Sequence, residues 1–133
     1  MSVTYFKRFR MEIDLERAPA NRDLPDGCYW VPWRRQMMEF HAQVKYRCFA
    51  DELDATIFPC LGDRIGCQRL MQDISSRRGF VPEATWLVGS PNGYIGTIQG
   101  VVDRAGLGLI QNLGVRSEEH TSELQSHSDL VCR

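Results

Sequence analysis

The sequence is poor in the features that would narrow a function at once. Its five cysteines (Cys28, Cys48, Cys60, Cys67 and Cys132) are odd in number and form no C-x-x-C pair, and His41 is the only histidine before Arg116. Zinc needs clustered His and Cys ligands, so no metal site is expected. Scattered thiols fit a reducing cytoplasm. No apolar run reaches the roughly 18 residues that suggest a membrane span. The start carries Lys7, Arg8 and Arg10 but no apolar stretch after them, so it does not read as a signal peptide. An excess of charge of one sign is missing too. The formal net charge is -1, with Lys and Arg interleaved among Asp and Glu. That balance gives no electrostatic reason to expect nucleic acid or an anionic membrane as a partner.

What remains is an ordinary composition in 133 residues, 43% hydrophobic and 25% charged, which suits one soluble globular domain. Arg8 to Leu15 alternates, with Phe9, Met11, Ile13 and Leu15 apolar and Arg8, Arg10, Glu12 and Asp14 charged, the period of a half-buried strand. Pro19, Asn21, Pro25, Asp26 and Gly27 then punctuate the chain. Cys28 to Val31 reads as a short strand closed by Pro32. Arg34 to Phe49 reads as a helix, with Met37, Phe40, Val44 and Cys48 on one face. His41 lies close to that face, where a packed or surface imidazole is expected rather than a catalytic one. Asp51 to Pro59 breaks the helical pattern, because Pro59 disfavours helix at Phe58.

A second helix is expected over Arg64 to Arg77. Asp63 would cap it, Cys67, Leu70, Met71 and Ile74 would form its buried stripe, and Arg77, Arg78 and Gly79 would end it. The period then changes. Ala84 to Val88 is a compact apolar strand, and Pro91, Asn92 and Gly93 make a turn. In the strand Tyr94 to Asp103, Gly96, Ile98, Gly100 and Val102 face one way and Ile95, Thr97, Gln99 and Val101 the other. Arg104, Ala105 and Gly106 turn into a last strand, Leu107 to Val115. Strand, helix, helix and a three-strand meander predict an α+β fold with antiparallel pairing.

After Val115 the character changes. Residues 116–126 are rich in Ser and Glu, have no aromatic residue and show neither period. Such a stretch reads as a solvated, disordered tail. It also resembles the translation of a common short-read sequencing adapter, which would make residues 116–133 non-native and strip His120, His127 and Cys132 of functional weight.

The order of elements in residues 1–115 resembles the amino-terminal half of the GNAT (acyl-CoA N-acyltransferase) fold. Gly27 to Phe49, with Trp30-Val31-Pro32-Trp33-Arg34 entering the helix, looks like that fold's first strand and helix. Gly93 to Asp103, containing Gly96-Thr97-Ile98-Gln99-Gly100, resembles its third strand, and Leu109 to Val115 its fourth. The resemblance implies acyl transfer, usually acetyl, from acetyl-CoA to the amine of a small molecule or peptide. It also implies that a glycine-rich Arg/Gln-x-x-Gly-x-Gly/Ala turn should follow the fourth strand. Such a loop presents backbone N–H groups and a helix amino-terminus to a pyrophosphate.

Arg116-Ser117-Glu118-Glu119-His120 contain no glycine and put two carboxylates at that place. The expectation is therefore a chain that stops short of the loop, binds no acetyl-CoA, and self-associates through the exposed edge of its last strand. By resemblance, Leu113, Gly114 and Val115 match the strand end whose backbone pairs with the pantetheine arm. Read from the residues alone, they are equally the end of a strand. Gln111 and Asn112 cannot act as bases but could position an amine or a water. Glu83 reads as an exposed structural carboxylate, and no catalytic residue is named. A non-catalytic α+β binding or structural module is the other reading, with Tyr29, Trp30 and Trp33 as a contact surface in the binding case; aromatics at such a junction are more often core.

Overall fold

The computed structural model describes Tyr5, Lys7, residues 10–17 and residues 23–116. The readings made for residues 117–133, and for Arg8 and Phe9, lie outside them. The expected strand from Arg8 to Leu15 is not formed in its described part. Arg10 to Asp14 carry no ladder, Leu15–Arg17 is a single 3-10 turn, and Ile13 and Leu15 are 62% and 81% exposed. Alternation supplies an amphipathic ribbon, but a strand also needs cross-strand pairs and a face to cover. Among the described residues this segment has neither.

The remaining elements build an α+β fold on a four-stranded antiparallel sheet of order β1-β2-β3-β4. The strands are β1 (Tyr29–Pro32), β2 (Phe80–Ser90), β3 (Gly93–Val102) and β4 (Gly108–Val115). Between β1 and β2 run α1 (Met38–Phe49), α2 (Leu53–Ile57) and α3 (Arg64–Ser76). The α2 turn corrects the sequence reading, which left Asp51 to Pro59 without helix. Pro59 acts as expected at Phe58, whose backbone leaves the helical region and starts a 3-10 turn over Pro59–Gly62. The five residues before it nevertheless close one helical turn.

Asp63 caps α3 by accepting a hydrogen bond from the Gly66 N–H at 3.0 Å. Cys67, Met71 and Ile74, spaced three and four apart, are buried on the α3 face turned to the core. With Ala42, Phe49, Leu61 and Val101 they form the main apolar cluster. The β2–β3 hairpin closes over Pro91 and Asn92, with Ser90 opposite Gly93. Gly93 adopts φ 110°, a left-handed value that a side chain would strain.

Three register shifts shape the sheet, one of them a small one at Val88 and Gly89 near the β2–β3 hairpin. Residues 82–85 of β2 have no counterparts between the pairs Val81–Gly100 and Trp86–Ile98, so Pro82 falls where no ladder bond is needed. On β4, Gln99 pairs with Asn112 and Gly100 with Ile110, which leaves Gln111 as the extra residue of a bulge. Because directly opposed residues share a face, Leu87, Thr97 and Gly114 point to one side and Trp86, Ile98 and Leu113 to the other. α1 and α3 cover the first side.

The buried face of α1 differs from the one the apolar spacing suggested. His41, Ala42, Val44, Lys45 and Phe49 are buried, whereas Phe40 stays partly exposed against the Tyr94 ring, 5.0 Å between centroids. The helix is turned so that His41, Lys45 and Cys48 meet the sheet. Two of these are polar, so a stripe drawn through apolar residues alone misses the face.

Candidate functional site: a buried polar cluster between α1 and the sheet

His41 and Lys45 are four residues apart on α1 and therefore project from the same face. Opposite them, Thr97 and Gln99 alternate on β3 and Asn112 lies across from Gln99 on β4. All five side chains are buried, Lys45, His41 and Gln99 completely. The Lys45 ammonium donates to Gln99 Oε1 and, at 2.8 Å, to Asn112 Oδ1. These two acceptors are neutral amide oxygens, and burial without a counter-charge pulls the Lys45 pKa down from 10.5 to about 7. The thiols of Cys67, Cys48 and Cys60 oppose that shift.

The orientation of Gln99 follows from Lys45. With Oε1 turned to the ammonium, Nε2 donates to Thr97 Oγ1 at 2.7 Å and to His41 Nδ1 at 2.9 Å. His41 Nδ1 is thus an acceptor, with the Thr97 hydroxyl 2.7 Å away on the same side, and the ring proton belongs on Nε2. Nε2 is buried with no hydrogen-bond partner among the described residues. Burial, with the Lys45 charge adding to it, lowers the His41 pKa to about 3, so the imidazole is neutral at ordinary pH. Trp33 lies beside it, with ring centroids 5.3 Å apart. Burial likewise pushes the Cys48 thiol up to about 12 and the Cys67 thiol up to about 11. Both stay protonated, so neither supplies the anion that Lys45 lacks.

Of the residues singled out from the sequence, the structure brings His41 and Asn112 into this cluster. Leu113, Gly114 and Val115 continue β4 beyond it, paired with Ile98, Thr97 and Gly96, with the other edge of the strand unpaired among the described residues. Val115 is 64% exposed, whereas Gly114 is buried against Cys48 and Phe49 of α1. Gln111 is half-buried in the bulge, and Glu83 is exposed in the irregular stretch of β2. The aromatic group divides. Trp33 packs on Phe80 at the rim of the core, 5.2 Å between centroids, while Tyr29 and Trp30 are 52% and 53% exposed.

Sequence reasoning missed Lys45, Thr97 and Gln99. The signal was present in two patterns, a polar pair at i and i+4 inside an otherwise apolar helix face, and two polar residues on the face of β3 shared with Val101. Among the described residues, Cys28, Cys48, Cys60 and Cys67 are free thiols and no group of acidic, His or Cys side chains could hold a metal ion. No helix there is long and apolar enough to cross a membrane. No protein-family model matches the chain, and neither a curated protein nor a solved structure shows significant similarity to it.

Proposed function

We propose that residues 1–115 are the amino-terminal half of a GNAT-type N-acyltransferase, which moves an acetyl group from acetyl-CoA to the amine of a small molecule or peptide. The observation that carries this reading is the topology. A short strand, helices and a three-strand antiparallel meander in the order β1-β2-β3-β4 end on β4, whose outer edge has no partner among the described residues. On this reading the backbone at Leu113, Gly114 and Val115 receives the pantetheine arm. The bulge at Gln111 turns the strand just before that point. The chemistry asks for a deprotonated amine, a thioester carbonyl polarised by a backbone N–H, and both held in line. An unpaired strand edge offers such N–H groups. The protein works in the cytoplasm, in keeping with its free thiols, and in the 133-residue chain the uncovered edge is the surface through which copies of the chain associate.

Independent genomic reads across the codon of Val115 test the reading directly. They should continue into an Arg-x-x-Gly-x-Gly segment; a stop codon, or the Ser- and Glu-rich string again, overturns it. A chain so continued should bind acetyl-CoA one to one by calorimetry. The 133-residue chain, with Glu118 and Glu119 after Val115, should bind none at millimolar cofactor. The half-exposed Tyr29 and Trp30 favour a second reading, a non-catalytic binding module that uses this aromatic surface.

A further inference from the structure

We infer that Lys45 makes the seam between α1 and the end of β4 a proton-coupled joint, which opens locally with the uptake of one proton. The inference does not depend on the acyltransferase reading. Lys45 and Lys7 are the only lysines in the chain, and Lys45 is the one placed wholly inside it. Its side chain is the polar link from α1 to both β3 and β4, through Gln99 and Asn112. Neither acceptor carries a charge, so the closed joint offers the ammonium hydrogen bonds but no compensation for leaving water. Lifting Asn112 to Val115 from α1 would hydrate the amine and return it to its ordinary basicity.

The groups that face or adjoin Lys45 define where this coupling can be read. On α1 these are His41 and Cys48, in the turn before α3 Cys60, and on α3 Cys67; β3 and β4 contribute only the neutral Thr97, Gln99 and Asn112. Glu52 and Arg116 act on Cys48, and Asp63 on Cys67. His41 takes up its proton only near pH 3 and does not contribute near neutrality. Cys48 and Cys67 are protonated in the closed joint up to about 12 and about 11, and opening restores their ordinary value of 9.0. They would release protons on opening in more alkaline solution, so the Lys45 effect is clean only below that range.

Between pH 8.5 and 7 the open joint holds Lys45 charged, while the closed joint holds it mostly neutral until it is half charged at about pH 7. Close to one proton is therefore bound on opening at pH 8.5 and about half a proton at pH 7, and the opening constant rises about 15-fold across the interval. Below about pH 6 both states are protonated and the dependence levels off.

The experiment is amide hydrogen exchange on the full chain, corrected for the intrinsic rate at each pH. Protection at Asn112 and Gly114, whose N–H groups face β3, should fall about 15-fold from pH 8.5 to 7, level off below about pH 6, and lie under that of Leu87 in β2. The fall should vanish in Lys45→Met. Protection that does not change with pH, or that is equal at Leu87 and the β4 amides, overturns the proposal. Should Lys45→Met not fold, the ¹³Cε resonances of the two lysines of the unaltered protein decide the matter. One should titrate near pH 7; if both titrate in the ordinary lysine range, the joint is not proton-coupled.

Discussion

Replacing Gly114 with alanine would put a methyl group into a close contact between α1 and the sheet. A Cβ there would lie 3.0 Å from Cys48 Cβ, 3.0 Å from Phe49 Cε2 and 3.1 Å from Phe49 Cζ. The Cys48 atom is fixed to the helix backbone and cannot rotate away, and Phe49 is enclosed at 1% exposure. Overpacking of this kind costs about 1–3 kcal/mol. The loss of glycine's freedom in the unfolded chain returns about 0.4–1 kcal/mol. A net destabilisation of about 1–2 kcal/mol remains, which in a domain of this size lowers Tm by roughly 4–16 °C. Thermal unfolding followed by circular dichroism gives the number, provided Gly114→Ala, Phe49→Leu and the double variant are compared with the parent. Trimming the ring should make room for the methyl, so the double variant should lose less than the sum of the singles, by about 0.5 kcal/mol or more. A Gly114→Ala protein that melts at or above the parent, or strictly additive effects, would refute the packing argument and leave Gly114 as no more than the end of a strand.

Two further outcomes are expected. His41 holds its proton less tightly when folded, about 3 against 6.5, so between those values the unfolded chain binds the extra proton and stability falls as pH is lowered through that window. His41→Asn keeps an acceptor at the Nδ1 position, and urea titrations from pH 7 to 4 should show a shallower acid loss than the parent, by up to about 1.4 kcal/mol per pH unit; parallel curves would argue against a buried neutral imidazole. Asp63→Ala removes the acceptor for Gly66 N–H and should cost about 0.5–2 kcal/mol, measured as a lower urea midpoint at pH 7; an unchanged midpoint would argue against the cap.

Those parts of the fold that rest on one element at a time were legible in the sequence. The cap at Asp63, the stripe Cys67, Met71 and Ile74, and the turn before Gly93 each depend on residues within a few positions of one another. The alternation of Arg10 to Leu15 had the same local quality and misled, since nothing in the segment itself reports whether a partner strand exists. The polar cluster failed for a different reason. Lys45 meets Gln99 and Asn112 across 54 and 67 positions, and only the docking of α1 on the sheet brings them together. Apolar periodicity, the signal used to orient α1, pointed to Met37 and Phe40 because it gives no weight to a buried lysine or histidine. Gln111 and Asn112 were noticed as polar residues in a strand, but the bulge that separates their roles is a matter of register and cannot be seen before β3 is paired.

The sidedness of the sheet gives the three tryptophans distinct optical duties. Trp30 and Trp86 lie on the face away from α1 and α3, edge to face with centroids 6.0 Å apart, while Trp33 sits beside His41 and Phe80. An aqueous collisional quencher such as iodide should reach the half-exposed indole of Trp30 first and the partly buried Trp33 less. The quenchable emission then reports whatever comes to cover the outer face, a second copy of the chain included. The protected emission, from an indole against a neutral imidazole, follows the polar cluster instead. A single emission spectrum, read with and without quencher, thus watches the two sides of the sheet independently.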